Sequence, residues 1–102
     1  MSVNINVSLS VTGLTDQPQV ERVVEELREL MGEEGISREV EVSRAGGTDG
    51  DLGVVAANGP FPLSISRFSQ WQPHFEGMVA FTVREVAPQA RIAIDWGYPD
   101  ER

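Results

Sequence analysis

Ser2-Val3-Asn4-Ile5-Asn6-Val7-Ser8-Leu9-Ser10-Val11-Thr12 alternates without a break between aliphatic and small polar residues. A period of two belongs to a β-strand, whose successive side chains leave on opposite faces. Val3, Ile5, Val7, Leu9 and Val11 therefore share one face, and Ser2, Asn4, Asn6, Ser8, Ser10 and Thr12 the other. The polar row hydrogen-bonds but carries no charge, as suits a central strand in a sheet open on one side.

Beyond Gly13-Leu14 the period changes. Thr15 or Asp16 serves as N-cap, Pro18 falls in the first turn, and Gln19 completes a box-like spacing from Asp16. Val20, Val23, Val24, Leu27, Leu30 and Met31 then recur at the helical period, with Glu21, Arg22, Glu25, Glu26, Arg28 and Glu29 opposite. Gly32 and Gly35 offer a left-handed end, and Ile36 to Arg44 alternates again with Val40 and Val42 inward. Residues 45–60 form a glycine-rich connector. Within it, Leu52 to Ala57 fits an extra short strand closing on an Asn58-Gly59 turn, and equally a brief helical turn. Leu63 to Phe68 reads as a further strand. Ser69 to Pro73 starts a second helix, with Pro73 in its first turn and Trp71, Phe75, Met78, Val79, Thr82, Val83 and Val86 inward. Pro88 ends it, and Arg91 to Trp96 is a last strand with Ile92, Ile94 and Trp96 on one side.

The order β-α-β, connector, β-α-β is that of an α+β ferredoxin-like βαββαβ plait, two helices on one face of a four-stranded antiparallel sheet. Residues 1–102 then make a single domain, with the connector at 45–60 and a short tail at 97–102. This fold hosts many functions and supplies none by itself.

The residue inventory narrows the chemistry. There is no cysteine and no lysine, one histidine, His74, and sixteen carboxylates against eight arginines, for a net charge of -8. Thiolate, Schiff-base and P-loop chemistry are excluded, and so are cysteine or multi-histidine metal centres within one chain. No cofactor and no metal is expected. The acidity disfavours direct binding to nucleic acid or to an anionic membrane, and its natural complement is a basic protein. No stretch approaches the ~20 apolar residues of a spanning helix. With no cysteine and no signal-peptide pattern, a bacterial cytoplasmic setting is the expectation.

Few residues invite catalysis. The loop at 46–53 carries Asp49 and Asp51 but lacks the lysine of a phosphate cradle and the ligand series of a calcium loop. Glu39, Glu41, Glu76 and Asp95 could supply an acid and base pair, but so many carboxylates bring some pair close by numbers alone. A hydrolase using His74 with carboxylates is the enzymatic alternative.

Misplaced aromatics are more informative. Phe68 falls on the outward parity of its strand, Phe81 lies off the helix stripe beside His74 and Glu85, and Tyr98 sits in the tail next to Asp100 and Glu101. Rings bordered by carboxylates suit a protein interface, where rings anchor and charges steer. Phe68, His74, Phe81, Glu85, Asp95, Trp96, Tyr98, Asp100 and Glu101 are the candidate partner-binding residues. The function expected is that of a small acidic protein-binding module, an inhibitor or immunity-type protein neutralising a basic enzyme such as a nuclease toxin. The alternative is a small-ligand regulatory domain or a homodimer formed through the open sheet face.

Overall fold

A computed structural model describes residues 2–45 and 52–99. The loop carboxylates Asp49 and Asp51 and the tail carboxylates Asp100 and Glu101 lie outside the described residues. The elements run β1 (Ser2–Leu14), α1 (Gln17–Glu33), β2 (Val40–Ala45), β3 (Leu52–Asn58), β4 (Leu63–Ser66), α2 (Phe68–Val86) and β5 (Arg91–Gly97).

β1 organises the sheet. It pairs antiparallel with β3 along residues 8–14, with β5 along 6–12 and with β4 along 2–5, while β2 pairs antiparallel with β3. With both helices on one face, this is the ferredoxin-like arrangement, built, among the described residues, from five strands instead of four. The third strand is the correction. Residues 52–57 do form a strand, a long one held between β1 and β2, and the stretch expected at 63–68 contributes only Leu63–Ser66. β3 and β4 run in the same direction along successive stretches of β1, broken at Gly59-Pro60-Phe61-Pro62, where the prolines have no N–H to give to a ladder.

Asn58 repairs that break. Its Oδ1 accepts from the Val7 N–H at 2.8 Å, and its Nδ2 donates to Asn6 Oδ1 at 2.9 Å and to the Phe61 carbonyl at 3.1 Å. One side chain thus replaces the strand where the strand is missing. At the other end of β1 the register slips between Thr12 and Leu14, with Gly13 at φ 82. A β-carbon on the facing Gly53 would lie 2.5 Å from the Val11 carbonyl oxygen, so the β1–β3 approach there requires glycine.

The helices cover the aliphatic face. Ile5, Leu9 and Val11 of β1, Val23 and Leu27 of α1, and Phe75, Val79 and Val83 of α2 are each at most 1% exposed. Burying each such side chain stabilises by about 1.5–3 kcal/mol. Asp16 caps α1 by accepting from Gln19 N–H at 2.9 Å, and Gln19 Oε1 accepts from Thr15 N–H at 2.9 Å. α2 begins earlier than its sequence suggests. Arg67 sits in the left-handed region at φ 54 and turns the chain at once from β4 into the helix. Pro73 consequently lies in the second turn of α2, not the first. No helix among the described residues is long and apolar enough to cross a membrane.

Candidate functional site

Phe68, Trp71 and Phe75 recur on one stripe of α2, and the alternation of β5 turns Trp96 towards the same helix. Trp71 stacks on Phe75 with centroids 4.7 Å apart, and Trp96 stands edge-on to Phe68, Trp71 and Phe75 at 5.3, 5.8 and 5.9 Å. Tyr98 closes the cluster edge-on to Phe68 at 6.1 Å and is 44% exposed. The inner rings are packing; the outer rim of Trp71, Trp96 and Tyr98 reaches the surface.

Both indoles give their N–H to a carboxylate. Trp71 Nε1 donates to Glu34 Oε1 at 2.8 Å, and Trp96 Nε1 donates to Glu76 Oε2 at 2.7 Å. Glu34 caps the C-terminal end of α1, where the helix dipole disfavours a negative charge. The indole N–H offsets that cost, and His74 Nε2 stands 3.5 Å from Glu34 Oε2. The result is a rim of aromatic faces beside two fixed carboxylates, an arrangement that can receive a guanidinium or ammonium group over a ring and against an acid.

Of the candidate residues, the structure brings Phe68, Trp96, Tyr98 and His74 to this end. Phe68 is not outward: it is the first residue of α2, 8% exposed and central among the rings. Phe81, 62% exposed, and Glu85 lie one turn apart on the outer face of α2 and take no part in the cluster. Asp95 is exposed on the open face of the sheet, in register with Ser8. Glu34 and Glu76 were not foreseen as partners of the tryptophans, and no local signal marks them, since they lie 37 and 20 positions away.

Two other features lie away from the aromatic end. Beside β2 a broad open groove is lined by Arg28 and Met31 of α1, by residues 37–42 and by Gly59, Pro60 and Phe61, with Phe61 74% exposed. Arg28 Nη2 donates to the Val42 carbonyl at 3.1 Å and so covers part of this sheet edge. Further along, Arg44 pairs with Glu21, which holds the Glu21 carboxyl below its ordinary value and raises the guanidinium of Arg44. Among the described residues no group of three or more histidine, aspartate or glutamate side chains is placed to hold a metal ion.

No protein-family model matches the sequence, and no curated protein matches it. Solved structures match its shape. The de novo designed protein Foldit4 superposes with a TM-score of 0.70 at 12% identity, over 97% of this chain and 99% of its own. A dimeric ferredoxin-like protein from an uncultured marine organism gives 0.59 at 11% identity, over 97% and 98%. A second designed protein, with a ferredoxin fold, gives 0.50 at 12% identity, over 97% and 88%. At these identities the likeness concerns fold alone, and the fold it gives is the ferredoxin-like plait.

Proposed function

We propose that this chain is a protein-binding domain that docks a basic partner at its aromatic end, acting by association and not by catalysis. The observation that carries the proposal is the pairing of each half-buried tryptophan with a carboxylate at the rim of a ring cluster. An arginine or lysine of the partner lies over Tyr98 or Trp96 and against Glu76 or Glu34, and is worth more there than on an open acidic surface because ring and acid act together. The net charge of -8 speeds the encounter with a basic surface from a distance. Neutralisation of a basic enzyme in the manner of an inhibitor or immunity protein is the biological role that suits a small acidic domain of this kind.

Affinity capture from the native host tests this. Wild-type protein is expected to retain a partner of basic isoelectric point at about 50 mM salt and to release it at about 500 mM, where charges are screened beyond ~5 Å. Tyr98→Ala is expected to lose that partner at both. Acidic or neutral partners retained at high salt, or capture indifferent to Tyr98, would refute the proposal.

A further inference from the structure

The face of the sheet turned away from the helices has a charge pattern that fits a second copy of this chain, and we infer that it is the interface of a twofold homodimer. The strand registers align three rows across this face. Ser43, Val55, Ser10 and Ala93 form the middle row. Glu41, Ala57, Ser8 and Asp95 lie on one side of it, and Ala45, Gly53, Thr12 and Arg91 on the other. All but the buried Gly53, which has no side chain, point away from the core, and Val55, 38% exposed, is the one large apolar side chain among them.

In a chain of net charge -8, the two central strands place no charge on this face. Its charges in these rows are Glu41 on β2 and Asp95 and Arg91 on β5, all at the borders. The small serine, alanine and glycine side chains between them let a second sheet approach to about 10 Å.

The border charges select the symmetry. A twofold axis perpendicular to the strands, through the middle row, sets Asp95 opposite Arg91 of the second copy, and Arg91 opposite its Asp95. Glu41 then faces Ala45, and Val55 meets itself at the centre. The alternative axis, parallel to the strands, sets Glu41 against Asp95 of the second copy and leaves Arg91 facing Ala45. Only the first arrangement is complementary. Within one chain Arg91 and Asp95 stand four residues apart on a strand, about 14 Å, and make no pair with each other.

The size approaches what a specific interface needs. Four strands about 4.8 Å apart and about seven residues long present about 440 Å² of flat area. Two such faces meet over about 900 Å² before side-chain relief and the β4 end are counted, close to the ~1,000 Å² that a specific interface should clear.

Light scattering coupled to size exclusion, with sedimentation velocity for the dissociation constant, tests this directly. Wild type is expected at twice its 11.2 kDa chain mass. Val55→Arg, which sets like charges together at the centre, is expected to give a folded monomer by circular dichroism. Asp95→Arg alone and Arg91→Asp alone should each weaken the dimer on the order of tenfold, and the double exchange should restore it. A monomeric wild type at ~100 μM, a double exchange no tighter than either single variant, or a dimer strengthened by Asp95→Arg would each overturn the inference.

Discussion

Asn58 shows how much of this fold rests on single side chains. Its carboxamide replaces a missing length of strand, so Asn58→Ala leaves the Val7 N–H without its acceptor at a point where Val7 is buried. We expect a loss of about 1–3 kcal/mol in chemical denaturation, with Asn58→Asp recovering part of it because the acceptor oxygen is kept. Gly53→Ala should cost about 1–3 kcal/mol for a different reason, the collision of a new β-carbon with the Val11 carbonyl. At this scale the sequence was only partly legible. Asn58-Gly59 reads as a turn, but Asn58 ends β3 and the bend falls at Pro60 and Phe61; that the asparagine bridges two strands depends on Val7, 51 positions away. Phe68 was misplaced because strand parity was counted through Arg67, whose left-handed backbone ends that strand and resets which side faces inward.

At the level of elements, β1, α1 and most of α2 were legible because each carries its own period over enough residues to be unambiguous. β3 was not. Leu52-Gly53-Val54-Val55-Ala56-Ala57 is short, contains glycine and two small residues, and becomes a strand through pairing with β1 and β2 on its two sides. The contact between α1 and β2 carries a pH prediction. The Arg44 partner depresses the Glu21 carboxyl, so its contribution is present above the ordinary carboxylate value of 4.5 and is lost as pH falls through the lower folded value. Both groups are exposed, so the effect should be small, appearing as a loss of the Glu21→Gln stability difference below that pH. A difference that instead grows on acidification would contradict the pairing.

For the whole molecule, charge and rings are distributed by surface. The helical face is acidic, the open sheet face is neutral at its centre, and the aromatic end combines both kinds of group. The depleted inventory of cysteine, lysine and histidine was fully legible in the sequence. Which acids meet which rings was not, because Glu34 and Glu76 come to Trp71 and Trp96 only through the packing of α1, α2 and β5. The most direct measurement is fluorescence of Trp71 and Trp96 during titration with an arginine-rich peptide, with a glutamate-rich peptide as control. We expect a saturable change for the basic peptide alone, weakened by salt and reduced about tenfold in affinity in Glu76→Gln, for about 1.4 kcal/mol. A response equal for both peptides, or one that Glu76→Gln and Tyr98→Ala leave unchanged, would contradict docking of a basic partner at this end.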